Sequence, residues 1–115
     1  MCATKDKEKV MISQPMVGKT REEIIAVRNK AIDYLTKAGY EIEDTLFGDG
    51  PYDELAEKTY KQYGVNSVPL FYMALALKAM SYCHAVYFCK GWENARGCRI
   101  EHAAAIAYGL EVIYE

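Results

Sequence analysis

Glu101 and the residues that precede it, in "KGWENARGCRIEHAAAIAYGLEVIY" (90–114), are the part of the chain whose types and spacing suggest chemistry. Gly91 and Gly97 let backbone approach a ligand closely, and Asn94 is a residue type that caps helices. Arg96 and Arg99 bring positive charge beside the backbone N–H groups of a helix start. Together these suit an anionic sugar or a phosphate. Each also has a plain structural reading, as a turn glycine, a cap or a solvated arginine. Glu101 falls in the first turn or two of the helix, where the helix dipole favours the charged carboxylate and burial opposes it. A charged but poorly hydrated carboxylate is a reasonable nucleophile. The alternative is a surface carboxylate that only complements the dipole. Trp92, the one tryptophan, is suited to stacking on a nucleobase or to anchoring an interface.

The segments on either side must position these groups. "VMIS" (10–13) is a short apolar run before a loop, "SQPMVGK" (13–19). Thr20 and Glu23 form a capping box, followed by Ile24, Val27, Ala31, Leu35 and Ala38 at helical spacing and a stop at Gly39. "YEIEDTLF" (40–47) alternates as a strand does, "GDGP" (48–51) breaks the chain, and "YDELAEKTYKQYG" reads as a polar helix ended by Gly64. A helix over 69–80 opens with a proline in its first turn and is apolar almost all round. "AVYFC" (85–89) is a buried strand, 90–97 a loop, "CRIEHAAAIAY" a helix closed by Gly109, and "LEVIY" the last strand. On that last helix Ile100, Ala103, Ala104 and Ala107 form the stripe expected to pack on the sheet, with Glu101 at its edge.

Strands alternate with helices and no tight hairpin joins them. This predicts an α/β three-layer sandwich, flavodoxin/Rossmann-like, with a four-stranded parallel sheet in the order 2-1-3-4. Ligands of such sheets bind beyond the carboxyl ends of the strands where the order reverses. That rule selects Ser13, Gln14, Pro15 and Met16 after the first strand, and Gly91, Trp92, Asn94, Arg96 and Gly97 after the third.

The whole chain has 115 residues, 51% hydrophobic and 26% charged, which is ordinary for one globular domain. Residues 1–8 read as a flexible polar tail and 9–115 as the domain. With net charge −2 and scattered basic residues, no nucleic acid partner is expected. The first eight residues lack the apolar stretch of a signal peptide and no apolar run reaches the length of a membrane span. A cytoplasmic protein without membrane contact is therefore expected. Cysteines 2, 83, 89 and 98 form no CxxC pair and read as reduced, mostly buried thiols. Cys98 and His102, with Cys83, His84 and Cys89, lack the usual ligand spacings, so no metal is expected. The apolar helix 69–80 predicts a homo-oligomer, a dimer or higher.

From "KVMISQPM" through "CHAVYFCKGWENARGCRIEHAAAIAYGLEVIY" the chain resembles the nucleoside 2-deoxyribosyltransferase-like superfamily, especially its short phage-type members of unassigned function. The resemblance implies that Glu101, four residues after Gly97, attacks the anomeric carbon of a nucleoside and displaces the base, without a cofactor. It also implies that a neighbouring subunit completes the site, through the C-terminal "IYE" or the loop around Tyr52. The chain departs from the family's enzymes at Met11, where they carry tyrosine, at His84, where they carry aspartate, and near Ala95, where related hydrolases carry serine. His84 would then replace the aspartate as proton donor to the leaving base, or serve a structural role. The sequence thus predicts cleavage or transfer of the N-glycosidic bond of a nucleoside or nucleotide. The competing reading is a non-catalytic nucleotide-binding protein, sequestering or regulatory, that retains the same crevice.

Overall fold

A computed structural model describes residues 7–43, 58, 64 and 66–115. Among these the elements are β1 (Lys9–Ser13), α1 (Arg21–Lys37), β2 (Glu41–Glu43), α2 (Val68–Met80), β3 (Ala85–Phe88), a 3-10 turn (Trp92–Asn94), α3 (Arg96–Ala107) and β4 (Glu111–Tyr114). The strands form one sheet in the order β2-β1-β3-β4, every pair parallel, as the alternation of elements predicts. The predicted break at 48–51 and the part of the second strand beyond Glu43 lie outside the described residues. So does the polar helix before Gly64, except Lys58, which is helical.

Side chains alternate across the sheet and divide the core in two. Val10, Ile12, Ala85, Tyr87 and Cys89 face α1 and pack on Ala31 and Leu35. Met11, Val86 and Phe88 face the other way, onto Ala79 and Met80 at the end of α2, Cys83 just beyond it and Ala105 of α3. Helices thus cover both faces. The register sets Ser13 beside Phe88 and Phe88 beside Tyr114, one row of side chains across the carboxyl edge beneath α3.

Helix α1 starts at the predicted capping box: the Thr20 hydroxyl accepts from Glu23 N–H and the Glu23 carboxylate accepts from Thr20 N–H, both at 3.1 Å. Such an exchange stabilises a helix start by about 1 kcal/mol. In α2 the Ser67 hydroxyl accepts from Leu70 N–H at 3.3 Å, with Pro69 in the first turn. No helix among the described residues is long and apolar enough to cross a membrane.

Helix α3 departs from the sequence reading in two ways. It begins at Arg96, capped by Ala95 with no side-chain hydrogen bond, so Asn94 is not the cap. Its buried face is also rotated from the predicted stripe. Of the predicted stripe, Ala104 is half-buried and packs on the core while Ile100, Ala103 and Ala107 are exposed; Cys98 and Ala105 are buried, and Glu101 and His102 are half-buried. Positions 98, 101, 102 and 105 make one helical face. Glu101 therefore lies on the side turned to the sheet, not at the edge of a stripe.

Candidate functional site

The strand order reverses at β1 and β3, and the loops leaving their carboxyl ends run side by side. Gly91, with φ +89°, occupies the left-handed region, and a β-carbon there would stand 3.8 Å from Pro15 Cγ. Over this junction α3 sets Glu101 against the end of β1. The Ser13 hydroxyl donates to Glu101 Oε1 at 2.5 Å, and Ser13 itself is buried. Among the described residues this is the carboxylate's hydrogen bond.

Burial raises the Glu101 carboxyl above the ordinary carboxylate range, while the Ser13 bond and the positive charge of Arg28 pull it back down. The Cys98 thiol, one turn earlier on the same face, is also pushed up by burial. Ser13 opposes that rise and the Glu101 charge adds to it.

The neighbouring predicted residues divide into engaged and open ones. Gln14 is buried and spent on α1: its amide donates to the Ile24 carbonyl at 2.7 Å and accepts from Arg28 Nη1 at 3.4 Å. Pro15 is half-buried, and Met16, Asn94 and Arg96 are exposed. At Gly97 a β-carbon would come within 3.3 Å of Met73 Cε, so this glycine's close neighbour is α2.

Trp92 packs within its own chain. Its ring stacks on His102 with centroids 4.1 Å apart and planes at 23°, and it packs against Phe88 at 5.4 Å and Tyr114 at 5.8 Å. His102 Nε2 lies 2.7 Å from the Tyr114 hydroxyl. Tyr114 is thus engaged within its own chain, and Tyr52 lies outside the described residues. Helix α3 is pinned at neighbouring positions to opposite sides of the sheet's edge, Glu101 to Ser13 of β1 and His102 to Tyr114 of β4.

His84 does not join the site. It precedes β3, where its Nδ1 accepts from Lys9 N–H at 3.0 Å and its N–H donates to the Lys9 carbonyl at 2.8 Å. The length of β3 separates it from the carboxyl edge, about 13 Å at the usual rise per residue. It lines a cavity of about 640 Å³ with Lys7, Lys9, Glu41 and Tyr82 at that opposite end. A strand displays function at its carboxyl end in this topology, and His84 sits at the amino end.

Sequence reading missed Arg28, which is 3% exposed beneath the loop after β1. Its signal was a charged residue one turn after Ile24 within an otherwise apolar stripe. No group of three or more histidine, cysteine or acidic side chains among the described residues is arranged to hold a metal ion.

A family model described as a domain of unknown function, DUF4406, matches residues 8–114. Neither the curated proteins nor the solved structures give a match. The chain belongs to the DUF4406 family.

Proposed function

We propose that this member of the DUF4406 family binds a nucleoside or nucleotide at the carboxyl edge between β1 and β3 and cleaves its N-glycosidic bond through Glu101. The observation that carries the reading is the Ser13–Glu101 hydrogen bond. The bond holds a half-buried carboxylate in one orientation at the end of β1, which supports its reading as an oriented nucleophile. The resemblance to the deoxyribosyltransferase-like superfamily, with Gly97 four residues before Glu101, supports the same assignment.

In the proposed reaction a Glu101 oxygen bonds to the anomeric carbon as the carbon–nitrogen bond breaks. The base leaves with the bonding pair and takes a proton from solvent, which the attacking water or second base returns in the next step. Water, or a second base, then attacks the anomeric carbon of the glycosyl ester and frees the carboxylate. Two displacements replace one difficult one, and no cofactor takes part. The exposed Arg96 and the first N–H groups of α3, which no side chain caps, are placed to attract an anionic group such as a 5′-phosphate. Incubation with a panel of deoxynucleosides and their monophosphates tests this. Free base should appear with the wild type and fall to background with Glu101→Gln.

A second reading, a non-catalytic nucleotide-binding protein, is favoured by one observation. His84, the candidate proton donor to the leaving base, stands at the far end of the sheet. Under that reading nucleotides raise the melting temperature and are recovered intact. A ligand at 100 times its dissociation constant adds about 2.7 kcal/mol to the folded state. We further propose a cytoplasmic homo-oligomer. Exposed Leu70 and Leu77 on α2 and Ile100 and Ile106 on α3 support self-association, and light scattering of a monomer at micromolar concentration would dispose of it.

A further inference from the structure

Tyr114 ends β4, in register beside Phe88. The residue after it is fastened twice: Glu115 N–H donates to the Phe88 carbonyl at 3.0 Å, and the Glu115 carboxylate accepts from Lys90 N–H at 2.8 Å. Lys90 stands in the loop after β3, beyond the sheet's own ladder, where a backbone donor needs another partner. Tyr114 is thus a fixed post beside that loop. It is nonetheless 53% exposed, so the specific part of its contact is the hydroxyl rather than the ring.

That hydroxyl lies 2.7 Å from His102 Nε2. The imidazole is held on two further sides, with Trp92 stacked on its face at 4.1 Å and Phe88 set against it edge-on at 5.0 Å and 71°. His102 follows Glu101 on α3, and successive helical side chains point about 100° apart. Glu101 reaches Ser13 of β1 and His102 reaches Tyr114 of β4, with β3 between the two strands. One such contact would let the helix swivel about its axis. Two, on either side of β3, resist it: a rotation that carries Glu101 off Ser13 also strains His102 against its three ring partners.

We propose that Tyr114 and His102 are positioning residues for Glu101, a second pin that sets the rotation of α3 and with it the aim of the carboxylate at the end of β1. Neither needs to touch a ligand. The Ser13 bond holds one carboxylate oxygen, but several torsions separate that oxygen from the backbone, and the rotation of the helix decides where they start. The start of α3 adds little restraint of its own, since no side chain caps it. The inference rests on Glu101 as the working carboxylate of the proposed function and adds what keeps it aimed.

The test reads Glu101 without turnover. Side-chain carboxyl signals are followed by carbon-13 NMR in the full chain, with Glu101→Gln assigning the resonance and Ser13→Ala marking where it lies once the donor is gone. Tyr114→Phe keeps the ring and loses the hydroxyl; the Glu101 signal should move from its wild-type position toward that of Ser13→Ala. Tyr108→Phe, at an exposed ring just past α3, should leave it in place. His102→Leu should move it as Tyr114→Phe does, and His102→Gln, whose amide can stand near the Nε2 position, should bring it back toward the wild type. A lowered melting temperature with an unmoved Glu101 signal in folded Tyr114→Phe makes the contact structural only and overturns the inference. Should Tyr114→Phe not fold, the two His102 variants decide by the same signal, and equal positions in them overturn it. In base release, kcat of Tyr114→Phe should fall about tenfold or more with KM little changed, as a misaimed nucleophile requires. Absence of base release by the wild type together with the expected shift would remove the proposed reaction and leave the positioning pair in place.

Discussion

Ser13 and Glu101, 88 positions apart in the chain, meet at 2.5 Å where the carboxyl end of β1 passes under the first turns of α3. The contact ties the strand order to the chemistry. β1 lies beside β3 at the point where the order reverses, so its last residue is the one next to the crevice. A serine there supplies a donor inside a strand end that is otherwise apolar. Glu101 is thereby held on the inward face of its helix, which would otherwise favour an apolar residue.

Ser13→Ala removes that donor and leaves the carboxylate half-buried without it. Hydrogen bonds to charged groups stabilise by about 1.5–3 kcal/mol, so a loss of that order in urea denaturation at pH 7 is expected. The Glu101 midpoint should rise as well, because the serine bond is one of the influences that lower it. Loss of stability with no movement of the Glu101 titration would mean that the serine serves packing alone.

Glu101 itself should cost stability at neutral pH. Burial raises its folded-state value above 4.5, the ordinary value. Between the two, the folded chain holds a proton that the unfolded chain has released, so stability falls as pH rises through that interval and stays at the lower level above it. Glu101→Gln lifts this penalty. Its melting temperature should exceed that of the wild type at pH 7, with the gap closing as pH approaches 4.5. A gap that widens on acidification would contradict the assignment.

Gly97 is the second residue of α3, and α2 is its close neighbour. An added methyl group would meet the Met73 side chain at 3.3 Å, which the flexible thioether end can relieve by a shift of a few tenths of an ångström. Alanine gains about 0.5–1 kcal/mol over glycine within a helix. Gly97→Ala should therefore change stability by no more than about 1 kcal/mol in either direction. If nucleotide binding weakens in this folded variant, the glycine also serves the ligand; unchanged binding assigns it to helix packing.

The thiols should be inert in the native protein. Cys83, Cys89 and Cys98 are free and buried, and burial pushes Cys83 up to about 11 and Cys89 to about 12. The thiolate is the reactive form, so at pH 8 these three should escape alkylation until denaturant is added, as peptide mass mapping would reveal. Rapid labelling of Cys98 in the folded chain would mean that α3 opens away from β1.

The sheet order and the placement of most helices were legible because local signals agreed. The Thr20–Glu23 box, the apolar runs of the strands and the absence of hairpin turns all point to one parallel topology. The buried face of α3 was not legible. Alanines at 103, 104, 105 and 107 offer no contrast around the helix, and the face is chosen by tertiary contacts of Cys98, Ala105, Glu101 and His102. The packing of Trp92 within its own chain was not legible because its partners, His102 and Tyr114, come from another helix and strand. His84 was drawn into the site by correspondence with a third-strand aspartate, although it precedes a four-residue strand whose other end faces the crevice.

The most direct test of Glu101 as nucleophile is to trap the glycosyl ester. The protein is incubated with a 2-fluoro-substituted deoxynucleoside, whose glycosyl ester hydrolyses slowly, then quenched in acid, digested and weighed by mass spectrometry. The account predicts one added fluoroglycosyl group on the peptide containing Glu101, with free base released in equal amount and neither seen in Glu101→Gln. Base release with the adduct on another residue, or nucleoside bound and recovered whole with no adduct, would contradict it.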